Sequence, residues 1–196
     1  MQRVHEPASA ENVASYLERQ YLPVLPLEGI LIQAKFKQLS DKQAEIARDL
    51  NDAMSQTSET WHDNAPADVA NLASNLNAVS AEKLINAMRG AVILDYPQSA
   101  ERGTLGNLLH ITNGDGKTRS LFLAGYAPDI KDYLKPEIDV ITLKSPVGDA
   151  LIGAEAGEQR EYKVGRRVLS VTLDRIEPPI SAFAAEESLH YDLERD

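Results

Sequence analysis

The side chains able to do chemistry gather in one short polar stretch, Glu59-Thr60-Trp61-His62-Asp63-Asn64-Ala65-Pro66. His62 has the side chain that titrates near neutral pH, so it reads as an acid–base group or as a solvated loop histidine. Trp61, the single tryptophan, reads as a lid on neighbouring helices or as a contact residue at an interface. Asp63 is either the N-cap of a following helix or, because Asn64 can cap instead, a free carboxylate. The other histidines, His5, His110 and His190, show no i,i+3 or i,i+4 partner that would suggest a metal site. There is no Gly-x-Ser-x-Gly, phosphate loop or zinc spacing anywhere in the chain. With no cysteine, thiolate metal sites, disulfides and cysteine nucleophiles are excluded.

Two helical arms must hold this stretch. Ahead of it, Ile32, Phe36, Leu39, Gln43, Ile46, Leu50 and Ala53 recur at alternating spacings of four and three, the a/d seam of a coiled coil. Behind it, Val69, Leu72, Leu76 and Val79 form a similar stripe, continued by Leu84, Ile85 and Met88. The first arm is expected over about 27–56, a reach of roughly 45 Å at 1.5 Å per residue. Asn64 and Pro66 restart the helix and Gly90 ends it. An ordinary helical hairpin in a globular core is the competing reading, but Gln43 in the seam and the many alanines favour a thin two-helix contact.

From Ala91 the pattern changes to strands: 91–94, 105–112, 119–124, 139–143, 161–164 and 167–176, with Asn113-Gly114-Asp115-Gly116 as a turn. A short helical turn is expected around 129–134. Ser145-Pro146 opens a short helix and Gly153 closes it. The expected fold is α+β. It has an N-terminal extension with a short helix (1–26), a coiled-coil hairpin with its tip at 57–66 (27–90), a mostly antiparallel β domain (91–180) and an acidic tail (181–196). Residues 1–10 are expected to be a loose start.

Acidic residues outnumber basic ones by 30 to 20, for a formal charge of −10. Such a surface repels nucleic acid and lipid headgroups, so neither is the expected main partner. The N-terminus lacks the apolar run of a signal peptide, and no run approaches the roughly 18 apolar residues of a membrane span. A cytoplasmic monomer is expected.

Two stretches resemble the Gre-type transcript cleavage factors of bacterial RNA polymerase. One is Ile141-Thr142-Leu143-Lys144-Ser145-Pro146-Val147-Gly148-Asp149-Ala150-Leu151-Ile152-Gly153 with Ala156-Gly157-Glu158, which is similar to the signature of that family's FKBP-like C-terminal domain. The other is Asp63-Asn64-Ala65, similar to the Glu-Asn-Ala of the family's coiled-coil tip and correctly spaced from Val92-Ile93-Leu94-Asp95. The resemblance covers roughly residues 27–177. It implies a β domain docked on the rim of the polymerase secondary channel, with Ser145, Pro146, Gly148 and Asp149 at the docking face. It also implies a coiled coil reaching the active centre, where Asp63, with Glu59 or Asp68, shares a second magnesium ion with the polymerase. Magnesium takes oxygen ligands, and a second metal stabilises attacking and leaving oxygens together. No cofactor of its own is implied, and Thr60, Trp61, His62, Asn64 and Asp68 would be tip contacts.

The family's second tip acid falls at Thr60, which carries no charge. Glu59 beside it points about 100° away on a helix. A regulator that enters the channel without stimulating cleavage is therefore the first reading, and an active cleavage factor using Asp63 the second. An FKBP-like prolyl isomerase or chaperone is the alternative from another class, although fold alone does not imply that function.

Overall fold

The computed structural model describes residues 2–7, 10–18, 21–56, 65–97, 100–126 and 130–184. In chain order the elements are β1 (Gln2–Pro7), α1 (Ala10–Glu18), β2 (Leu22–Val24), α2 (Pro26–Gln56), α3 (Ala65–Met88), β3 (Ala91–Asp95), β4 (Leu108–Asn113), β5 (Thr118–Ala124), β6 (Ile138–Thr142), α4 (Pro146–Leu151), β7 (Gln159–Val164) and β8 (Arg167–Glu177). Short 3-10 turns lie at Ile130–Tyr133 and Pro179–Ala182. The fold is α+β, and it divides into a globular unit (1–31 and 90–196) and a helical hairpin (32–89).

The globular unit holds two sheets. A five-stranded sheet in the order β6-β5-β4-β8-β7 is antiparallel except for the parallel β5–β6 pair. The turn after Asn113 sets the β4–β5 register, with Gly116 at positive φ, a conformation glycine adopts without steric cost. A smaller sheet, β1-β3-β2, is wholly parallel. The loose start expected for residues 1–10 is therefore corrected: residues 2–7 pair with β3, and β2 pairs with its other side. The N-terminal 31 residues belong to the globular unit instead of forming an extension beside it.

Phe122, Leu25, Leu94, Leu105, Leu109, Ile111, Ile138, Leu151 and Leu173 are among its fully buried side chains. At the far end, Phe183 packs edge-on against Phe122 and Tyr96, with ring centroids 5.7 and 6.2 Å away. Ala184 donates its N–H to the Tyr133 carbonyl. The boundary expected after residue 180 is thus too early, because Ala182 and Phe183 belong to the core. Residues 185–196, the remainder of the expected acidic tail, lie outside the described residues.

In the hairpin, α2 matches the expected first arm closely, and at 31 residues it is roughly 46 Å long. Its inner face is Ile32, Leu39, Gln43, Ile46, Leu50 and Ala53, whereas Phe36 is exposed. The second arm corrects the expected stripe. Val69, Leu72, Leu76 and Val79 all face outward, and Ala67, Ala70, Ser74, Asn77, Ala81, Leu84 and Met88 face α2. The inner set also alternates by three and four, so both faces satisfy coiled-coil spacing. Polar bonding distinguishes them. Asn77 Nδ2 donates to the Leu39 carbonyl and to Gln43 Oε1, each at 2.9 Å, and Gln43 Nε2 donates to Ser74 Oγ at 2.9 Å.

Candidate functional site

The tip expected to carry the chemistry falls outside the described residues, which resume at Ala65. Glu59, Thr60, Trp61, His62, Asp63 and Asn64 therefore have no geometry to report. Asp68, also expected at the tip, is exposed in the first turn of α3. The two arms end at Gln56 and Ala65, so the tip residues connect the far ends of both helices. Among the described residues, no cluster of three histidine or acidic side chains is placed to hold a metal ion.

The expected docking residues come together at the start of α4. Ser145 is the N-cap, its Oγ accepting from Gly148 N at 3.1 Å and donating to the Thr142 carbonyl at 2.7 Å. Pro146 occupies the first helical position, where its missing N–H costs nothing. Gly148 is buried, and a Cβ there would stand 2.1 Å from the Thr142 carbonyl oxygen. The capping bonds and the close approach account for Ser145 and Gly148 structurally. Pro146 and Asp149 are exposed.

Two buried or half-buried polar groups escaped the reading of the sequence. Glu28 is buried, and its Oε2 accepts from Leu25 N at 2.7 Å and Gly125 N at 3.1 Å while Oε1 accepts from Tyr126 N at 2.7 Å. Burial pushes its carboxyl up to about 7, against the opposing pull of the Leu25, Tyr126 and Gly125 N–H groups. The signal was present: Leu25 is the N-cap of α2, Pro26 is N1, and a glutamate at N3 reaches back to the N-cap amide.

The second group is a chain of hydrogen bonds across β5, β4 and β8. Ser120 Oγ lies 3.0 Å from His110 Nδ1, and His110 Nε2 lies 3.0 Å from Glu177 Oε1. Arg175 adds contacts at 3.3 Å to Nε2 and 2.7 Å to Glu177. Burial pushes Glu177 up, but bonds from Ser181 and His110 and the nearby cations outweigh it and hold the group below the usual carboxylate range. The order serine–histidine–carboxylate is that of an acyl-transfer triad. Yet Ser120 sits on an interior strand, paired with His110 on one side and Ile138 on the other. Its backbone offers no free amides for an oxyanion, and the chain reads as a cross-strand ladder. The turn register, which pairs 110 with 120, was the signal that could have found it.

A prolyl isomerase pocket would need aromatic walls. Tyr96, Phe122 and Phe183 pack against one another inside the unit.

The class that the fold defines is a two-unit α+β protein: an antiparallel helical hairpin and a mostly antiparallel β unit with a serine-capped helix. No family model and no curated protein matches the chain. Solved structures do. The chain is similar to GreA factor homolog 1 (Gfh1) of Thermus thermophilus at 17% identity, over 80% of this chain and 99% of that one, with a TM-score of 0.37. Thermus aquaticus Gfh1 is similar at 18% identity, over 80% and 98%, with a TM-score of 0.36. The prokaryotic transcription elongation factor GreA/GreB from Nitrosomonas europaea is similar at 23% identity, over 50% and 78%, with a TM-score of 0.31. These are proteins of the kind that the Asp63-Asn64-Ala65 tip and the Ser145-Pro146 run resemble.

Proposed function

We propose that this protein is a regulator of transcript elongation that binds RNA polymerase and works through its helical hairpin. The hairpin enters the secondary channel, and residues 57–64 meet the active centre. The observation that carries this reading is the hairpin itself. Two arms of 31 and 24 residues meet through a narrow seam that includes the Gln43, Ser74 and Asn77 bonds and join at the one segment that resembles the Gre-type tip. A thin two-helix contact suits a narrow passage better than a broad core face does.

The tip acts there by modulating catalysis. Thr60 stands where the resembling family has an acid, so Asp63 is left without the second carboxylate that would fix magnesium, an ion intolerant of geometric error. The β unit supplies docking through Pro146 and Asp149, and the partner is a protein surface, in keeping with the formal charge of −10.

The test uses stalled, backtracked transcription complexes, with RNA shortening and elongation followed together. Wild-type protein is expected to slow or alter elongation without shortening the RNA, and Trp61→Ala to weaken that effect. Shortening that disappears in Asp63→Ala would replace this reading with an active cleavage factor. Absence of any polymerase binding would remove both.

A further inference from the structure

Helix α3 carries two coiled-coil seams on opposite faces. The inner one is used against α2. The outer one is Ala65, Val69, Leu72, Leu76, Val79 and Lys83, spaced four, three, four, three and four. Each outer position lies two residues beyond an inner one or one heptad from such a position, which is about 200° around the helix. All six residues are exposed. Val69, Leu72, Leu76 and Val79 retain 67, 61, 62 and 48% of their accessible surface. Between residues 65 and 81 the larger apolar side chains therefore face out, while alanine, serine and asparagine face α2. Between Val69 and Ala81 the helix has no charged residue, whereas α2 carries charges along much of its length. A bare apolar stripe of this kind marks an interaction surface.

We infer that the outer seam of α3 pairs with the same seam of a second copy of this chain, antiparallel about a twofold axis. The sequence of the stripe reads the same from both ends: Val, three apart, Leu, four apart, Leu, three apart, Val. Antiparallel pairing sets Val69 against Val79 and Leu72 against Leu76, which is the self-complementarity an isologous twofold interface requires. Lys83, in the seam itself, selects the direction. Antiparallel pairing sets Lys83 of each copy beside the small Ala65 of the other. Parallel pairing would place Lys83 against Lys83. A like-charged pair in the seam disfavours that orientation.

The contact is small. A stripe from 65 to 83 is about 28 Å long and about 10 Å wide, so both copies together bury on the order of 600 Å². That is below a stable assembly, so the dimer forms and dissociates with concentration. Each copy carries a formal charge of −10, and added salt screens the resulting repulsion while leaving the apolar seam intact. This pairing stands independently of the polymerase reading.

Sedimentation equilibrium of the full chain, from micromolar to millimolar and at low and high salt, tests it. The average mass is expected to climb towards twice that of one chain, and further at high salt. The exposed double variant L72E/L76E, with unchanged helix content and melting, should weaken the dimer about a hundredfold or more. Because the chain has no cysteine, oxidation of single variants reads the direction. A mixture of Leu72→Cys and Leu76→Cys proteins should cross-link far better than either alone. A wild type that stays monomeric overturns the inference, as does an L72E/L76E variant that dimerises equally. Leu72→Cys alone linking as well as the mixture would do the same.

Discussion

The Glu28 carboxyl closes the first turn of α2 and, with its other lone pairs, holds the backbone at Gly125 and Tyr126. Gly125 cannot be larger, because a Cβ there would meet the Pro23 carbonyl oxygen at 1.9 Å. The carboxyl thus joins two backbone segments, one at Leu25 and one at Gly125 and Tyr126, in a space that excludes water, and that exclusion raises its pKa from 4.5 to about 7. The folded chain therefore keeps this proton over a range in which the unfolded chain has released it. Stability contributed by the protonated group is whole below the unfolded value and is lost as pH rises through the folded one. Across that window the loss is about 3 kcal/mol, at 1.36 kcal/mol per unit. Denaturant titrations at stepped pH should show this decline. Glu28→Gln should flatten it while lowering stability overall, because its amide cannot accept from Tyr126 N–H. An equally steep decline in the variant would remove Glu28 as its source.

At the scale of elements, the polar layer of the hairpin decides which face of α3 turns inward. Asn77 is buried, and its Oδ1 has no partner among the described residues, a cost that an apolar residue would avoid. Its two donated bonds to Leu39 and Gln43 fix the facing instead, the role that buried asparagine plays in coiled coils. Replacing both partners of a buried pair with apolar side chains is close to neutral or stabilising. The variant Q43L/N77L should therefore melt no lower than wild type, yet lose the choice of face. A cysteine reporter checks this: Leu76→Cys should react rapidly with a thiol reagent in the wild-type background and slowly in Q43L/N77L. Equal rates would show that the polar layer does not select the face.

Elements set by local signals were legible in the sequence, and those set by distant contacts were not. Both arms, the serine-capped helix and the β4–β5 hairpin rest on local signals, namely caps, turn residues and periodicity, and all were readable. The inner face of α3 was not. Periodicity supports both stripes equally, and apolarity favours the one that ends up exposed. The deciding contacts, Gln43 to Asn77 and Ser74, cross 34 and 31 residues. β1 and β2 were missed for a related reason. They are short, and their pairing with β3 is parallel and bridges the whole hairpin, so nothing nearby announces it. The resembling tip was legible as residue types alone.

For the whole molecule, chain order differs from spatial grouping. The hairpin at 32–89 interrupts the globular unit, and the unit closes around the interruption by pairing Leu22–Val24 with Ala91–Ile93. The Leu22 N–H also bonds to the Gly90 carbonyl at 3.0 Å. Exchanging residues 32–89 for a short glycine–serine linker should therefore leave a folded unit that retains the pH dependence set by Glu28. Circular dichroism and a cooperative melt would check it, and a molten product would show that the hairpin is needed for the rest to fold.

That parallel clamp makes the hairpin a cassette with a tunable reach. Seven residues added to each arm, one heptad apiece, would keep every seam position facing its partner and carry the tip about 10 Å farther along the hairpin axis. Seven removed would withdraw it equally. The distance over which this protein acts can thus change in steps of one heptad, without altering a single contact within the unit that holds it.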